Sequence, residues 1–243
     1  MPDAVAIYVG AVFILAGFVK GVIGVGLPTI AVGLLAVVIT PIEAAAILIA
    51  PSLATNVWQM VVGSHLVALL RRLWPMMLAI CIGTWVSLGF VGSMTSRYAT
   101  VLLGVALVLY AAAGLANLTL SLRRDREAIL GPIAGCLTGA ITAATGVFVM
   151  PAVPYLQAIG LSRDELVQAL GLSFTVSTAA LAVNLVVAEA IHTDMAWTTI
   201  IALAFACVGM AIGQLVRGRL DPVVFRHIFF AGLLLLGLYL TIR

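Results

Sequence analysis

The sequence predicts an all-α, polytopic helical membrane protein. It is built from two inverted repeats of about five membrane segments each, the first two of each short or re-entrant. Three observations carry this. The 243 residues are 64% hydrophobic and only 9% charged, with mean hydropathy +1.26. Apolar runs recur along the whole length, as in membrane proteins and not in soluble domains. Landmarks of residues 1–122 return in the same order in residues 129–243. The arginines are distributed very unevenly among the loops.

The segments run near 5–23, 26–39, 42–63, 73–92 and 99–120, then near 129–143, 146–159, 164–188, 196–216 and 223–242. No basic run precedes the first, so it is expected to be a membrane segment and not a cleaved signal. The first two segments of each half are expected to be thin. At about 1.5 Å per residue they barely reach a hydrocarbon layer of roughly 30 Å. The sequence leaves open whether they are two thin spans or a re-entrant hairpin.

The stretch GFVKGVIGVGLP at 17–28 is a poor continuous helix. Gly17, Gly21, Gly24 and Gly26 leave the backbone permissive, and Pro28 lacks an amide hydrogen, so the helical ladder is expected to break near it. Its counterpart, GCLTGAITAATGVFVMP at 135–151, places Gly135 and Gly139 118 positions after Gly17 and Gly21. Paired glycine-bearing interruptions in two halves point to a transporter's substrate site.

Each third segment opens with a capping box. Thr40-Pro41-Ile42-Glu43 and Ser162-Arg163-Asp164-Glu165 lie 122 positions apart, and each places a carboxylate where it reaches back to the cap. That role accounts for Glu43 and Glu165 without proton transport. Further on, CIGTWVSLG at 81–89 resembles CVGMAIGQL at 207–215. There, Gly83, Gly89, Gly209 and Gly213 are expected to bring helices close.

Odd crossings in each half would make the two copies face opposite ways. Parity then puts Arg71, Arg72, Arg123, Arg124, Arg126, Arg163, Arg217, Arg219 and Arg226 on one face, and only Arg97 and Arg243 on the other. By the positive-inside rule the first face is cytoplasmic and both termini are outside. The connection at 123–128 is expected to be a solvated cytoplasmic turn. The loop before the fourth segment carries Arg71 and Arg72, whereas its counterpart carries Glu189, His192 and Asp194.

Lys20 is the chief candidate for function. A lysine at a helix centre costs about 2.5–3.5 kcal/mol on insertion scales. It either holds an anion or snorkels to the headgroups. Helix starts beyond Gly24 and Gly26, and beyond Thr145 and Gly146, would add amide donors to an anion site. Ser52, Thr55, Asn56 and Gln59 share one helix face behind Pro51. Gln168, Ser173, Thr175, Ser177, Thr178 and Asn184 are the less regular polar set of the second half. Such uncharged donors suit an oxyanion that must bind and leave, and equally suit interhelical hydrogen bonds. The substrate-binding set expected is Lys20, Gly24, Gly26, Ser52, Asn56, Gln59, Thr145, Gly146, Thr175 and Ser177.

Cys81, Cys136 and Cys207 lack CxxC spacing and read as small buried hydrophobes, not metal ligands. No G-x-x-x-x-G-K-[ST] run is present, and no cluster of His, Asp, Glu or Cys lies within the apolar segments. No cofactor and no enzymatic activity are expected.

The glycine-spaced openings of both halves, Gly17, Gly21, Gly24 and Gly26 and then Gly135, Gly139, Gly146 and Pro151, resemble those of the TauE/SafE family of sulfite exporters. The resemblance extends over the whole chain. Its departures are Gly26-Leu27-Pro28 and Ala144-Thr145-Gly146 where the family carries a glycine triplet. It implies secondary transport of sulfite, organosulfonates or related small sulfur-containing anions across the bacterial inner membrane, with export the direction implied. An anion channel of the same fold and a non-transporting subunit are the alternatives. The partners expected are a small anion and membrane lipid, not nucleic acid, with a homodimer left open.

Overall fold

The structure is a computed structural model describing residues 3–87, 96–116, 121–191 and 195–242. The first half contributes α1 (Asp3–Ile23), α2 (Leu27–Leu35), α3 (Pro41–Val61), α4 (Leu66–Val86) and α5 (Ser96–Leu115). The second contributes α6 (Glu127–Thr145), α7 (Ala152–Ala158), α8 (Arg163–Val187), α9 (Ala196–Val216) and α10 (Pro222–Ile242). Each expected segment yields one helix. Eight of the ten are long and apolar enough to cross a membrane.

The expectation that the first two segments of each half are short holds only for the second. α1 has 21 residues and α6 has 19, which at 1.5 Å per residue gives helices of about 31 and 28 Å. Gly17, Gly21, Gly135 and Gly139 therefore lie inside continuous helix and do not interrupt it. The interruptions come later. Gly24 and Gly26 adopt φ of +80° and +111°, and Gly146 adopts +72°. These are left-handed conformations that glycine reaches without a Cβ clash. α2 restarts immediately after Gly26, with Pro28 in its first turn, where no amide hydrogen is needed.

Both capping boxes form. Thr40 and Ser162 accept from the amides of Glu43 and Glu165, whose carboxylates accept in return from the cap amides. α4 begins earlier than expected, so Arg71 and Arg72 lie within its second turn and not in a loop. Arg72 gives the reason: it makes a two-pronged bond to Glu127 at 2.9 and 2.7 Å and also donates to the Ile159 carbonyl at 2.8 Å. These bonds satisfy the guanidinium without leaving the helix. His192, Asp194, Gly89 and Arg243 lie outside the described residues.

Small residues decide which helices meet. α1 runs parallel to α9: Gly17 faces Ala206, Gly209 faces Ile14, and Gly213 faces Phe18. α4 runs parallel to α6: Gly83 faces Cys136, Gly135 faces Met76, and Gly139 faces Ile80. A Cβ at any of these six glycines would stand 2.1–2.4 Å from a backbone oxygen of the other helix. In a lipid phase such close packing supplies association that the hydrophobic effect does not. Between the halves, α3 and α8 cross antiparallel, pairing Ser52 with Thr178 and Gly63 with Gln168. α5 and α10 do likewise, pairing Gly104 with Thr241 and Gly114 with Phe230.

These contacts orient the chain. Tyr8 donates to the Leu34 carbonyl at 2.7 Å, so α2 returns along α1 to the end where α1 began. α7 returns likewise, its end meeting Leu122 and Arg72. The nine arginines of the arginine-rich face thus gather at one end of the bundle. Arg97 sits at the other, beside Thr40, Glu43 and Leu240.

The largest buried side chains include Phe13, Phe148 and Phe174. Outward faces carry large apolar side chains such as Leu215, Trp197 and Ile228. Cys136 and Cys207 belong to that outer surface, and Cys81 is half-buried; the expectation of three buried cysteines is corrected accordingly. In lipid an outward apolar residue forfeits nothing, so hydrophobicity alone does not predict burial.

Candidate functional site

Lys20 lies on the last turns of α1, three residues after Gly17 and so beside the face that glycine brings against α9. Its side chain turns inward and is only 3% exposed. The ammonium donates to Thr55 Oγ1 at 3.0 Å and to Asn56 Oδ1. The snorkelling geometry is therefore not adopted. Thr55 and Asn56 stand on α3, four and five residues past Pro51, the middle of that helix. Lys20 is thus bonded about 6–8 Å along the axis from mid-helix.

The lysine heads a chain of hydrogen bonds. Asn56 spends its carbonyl on Lys20 and donates from its amide to Ser52 Oγ at 2.9 Å. Ser52 meets Thr178 Oγ1 at 3.0 Å, which carries the network to α8. Ser52, Thr55, Asn56 and Thr178 are each at most 1% exposed. Among the described residues the ion pairs are Arg72–Glu127 and Arg123–Asp125. Lys20 thus has neutral oxygens around it and no carboxylate. A buried cation without a counter-ion is costly. Bonds from a charged donor contribute about 1.5–3 kcal/mol each, but they leave its charge unneutralised, and a bound anion would neutralise it.

Gln59 closes the broken end of α1. Its amide donates to the Gly24 carbonyl at 3.1 Å and to the Val167 carbonyl at 2.9 Å. It thereby satisfies a carbonyl that the glycine break leaves unbonded. Gln168 does the reciprocal service, donating to the Met60 carbonyl at 2.7 Å and accepting from the His65 amide. Lys20, Gly24 and Gln59 line one cavity of about 170 Å³ at the arginine end of α1.

The structure thus brings together Lys20, Gly24, Ser52, Asn56 and Gln59. Gly26 is near but packs against Val19 and Phe229. Thr145 and Gly146 are elsewhere: Thr145 bonds back to the Ile141 carbonyl, and Gly146 abuts Ala45. Ala45 and Gln59 are 14 residues apart on α3, which is about 21 Å. The two glycine breaks therefore lie toward opposite ends of α3, and one small ion cannot touch both. They separate because α1 ends at the arginine end of the bundle, whereas α6 begins there and runs away from it.

Thr175 bonds within its own helix to the Gly171 carbonyl. Ser177 is fully buried, and its hydroxyl, with those of Ser173 and the Asn184 carbonyl, has no partner among the described residues. Thr178, one residue on from Ser177, is the one that joins the network. The 122-residue spacing of the two capping boxes relates Thr178 to Asn56, but it equally relates Ser177 to Thr55, so it does not single out Thr178.

A search among curated proteins and one among solved structures each returned no match. A family model described as sulfite exporter TauE/SafE matches residues 9–240. That match takes in both glycine breaks, both capping boxes, Lys20 and the Asn56–Ser52–Thr178 network, and with eight apolar helices of spanning length the chain is a multi-pass membrane protein belonging to the TauE/SafE sulfite exporter family.

Proposed function

We propose that this chain is a secondary transporter of a small sulfur-containing anion, sulfite or an organosulfonate, across the bacterial inner membrane. The observation that carries the reading is the Lys20 ammonium, buried in the bundle among Thr55, Asn56 and Ser52 with no carboxylate beside it. Ser52, Asn56 and Gln59 orient this site, and Gly24 lets the backbone approach it. Neutral hydroxyl and amide partners hold an anion without trapping it.

The two halves are read as inverted copies. What supports this is the antiparallel crossing of α3 with α8 and of α5 with α10, equivalent helices running in opposite directions. The arginine-bearing end is read as cytoplasmic, and both termini as outside. Alternating access would then move one half against the other, exposing Lys20 to each side in turn.

The test is uptake of labelled sulfite into proteoliposomes holding only this chain. Sulfate, thiosulfate, sulfoacetate and taurine serve as competitors, with and without a pH gradient. Saturable uptake blocked by a subset of these is the expected result. Absence of uptake by folded, reconstituted protein would sink the reading, and unsaturable conduction would replace it by a channel.

A further inference from the structure

The cavity that reaches Lys20 holds a second cation that the preceding reading does not use. Along its wall stand Lys20, Gly24 and Gln59 on the buried side, and Gln214 and Arg217 on the outer side, with Trp58 at the flank. None of its lining residues carries a carboxylate. Arg217 is placed by α9, whose Gly213 lies against Phe18 and Gly21 of α1. The helix then tightens into a 3-10 turn at Arg217–Arg219. Gln214 is three residues earlier on the same face. Among the described residues neither side chain makes a hydrogen bond or an ion pair, although Asp221 follows only four residues after Arg217. The guanidinium fork and the amide are thus unspent, on the exposed side of a cavity that Lys20 also lines.

We propose that Arg217 and Gln214 form a second anion subsite at the arginine-end mouth of this cavity, in series with Lys20. This rests on the transport reading and narrows its substrate class. A guanidinium offers planar, two-pronged donation to sulfonate or carboxylate oxygens. A cavity of about 170 Å³ is smaller than sites for drug-sized ligands, roughly 300–1,000 Å³, and suits an anion of a few heavy atoms. With cations at both ends and no carboxylate, it also repels a positively charged tail. The substrate is therefore a sulfite or sulfonate whose tail is neutral or anionic, not an aminosulfonate. Two cations in series also give the anion a step between water and the buried lysine.

The experiment compares taurine with isethionate, which has the same chain length and a hydroxyl in place of the ammonium. Each competes with labelled sulfite in proteoliposomes, and each is ranked separately by its effect on the Tm of the purified protein. The variants are Arg217→Gln and Arg217→Glu. Isethionate is expected to compete at least tenfold better than taurine in the wild type. Arg217→Gln should raise the sulfite KM several-fold from the arginine side only, and Arg217→Glu should abolish or reverse the preference. Equal competition by taurine and isethionate, or a preference unmoved in Arg217→Glu, would overturn the subsite and leave Arg217 as a headgroup anchor. A wild type that binds isethionate by Tm shift but carries no flux would overturn the transport reading and leave the subsite standing.

Discussion

The ammonium of Lys20 matters because its neighbours are neutral. Thr55 and Asn56 solvate it, and no carboxylate cancels it, so its charge remains available to an anion. Two substitutions separate charge from packing. Lys20→Met keeps a long apolar stem and removes the charge. It should leave the protein folded, because removing a desolvated charge offsets the cost of leaving the Asn56 carbonyl without its donor. It should weaken anion binding by about 10–150-fold, the equivalent of the roughly 1.5–3 kcal/mol of one charge-assisted bond. Asn56→Asp is the sharper test. It is nearly isosteric and places a carboxylate against the ammonium, giving Lys20 an internal counter-ion. Flux should be lost while the Tm is unchanged or raised. Wild-type flux in either variant would show that the anion is held elsewhere. At this scale the sequence marked Lys20 and the stripe on α3. It did not distinguish Thr178 from Thr175 and Ser177, because α8 is buried on several faces and its polar residues follow no single stripe.

Among the elements, glycine serves two separate purposes. At Gly24, Gly26 and Gly146 the backbone is left-handed, and a side chain there is strained. At Gly17, Gly21, Gly209 and Gly213 the helix is regular and the missing side chain lets α1 and α9 touch. Gly213→Val should therefore lower stability by about 1–3 kcal/mol through overpacking, since a Cβ there stands 2.2 Å from the Phe18 carbonyl oxygen. Gly232→Ala is the control. Nothing lies within 4 Å of that position, and alanine favours helix by about 1 kcal/mol. Thermal unfolding in one detergent compares the two. Equal tolerance at 213 and 232 would refute the close packing of α1 on α9. Spacing alone could not separate these uses: GxxxG is a packing motif when the helix continues and the prelude to a break when Gly24 and Gly26 follow.

For the whole molecule, the arginine asymmetry and the helix directions make one prediction. Gly218 lies on the arginine-end turn and Ser96 at the opposite end, so a cysteine at each should react from opposite sides. In a cysteine-free background, Gly218→Cys should label only from the cytoplasm and Ser96→Cys only from outside. Labelling of both from one side would break the assigned topology, and exchanged sides would reverse the orientation. The native Cys136 and Cys207 must be removed first, because both are on the outer surface.

Composition and order determined much by themselves. The membrane class follows from hydropathy, ten segments from ten apolar runs, and the starts of α3 and α8 from their capping boxes. Each rests on neighbouring residues in the chain. The family, too, was legible in the two glycine-spaced openings. Tertiary structure alone decided the rest. It placed the Lys20 ammonium inward on Thr55 and Asn56, carried that network to Thr178, and set the glycine breaks at opposite depths. It also gathered Gln59, Gln214 and Arg217 around one cavity. The reason is physical. In a lipid-embedded bundle the apolar residues that dominate the sequence are equally stable facing lipid or facing another helix. The inward face of each helix is therefore set by small-residue contacts and polar pairings between segments far apart in the chain.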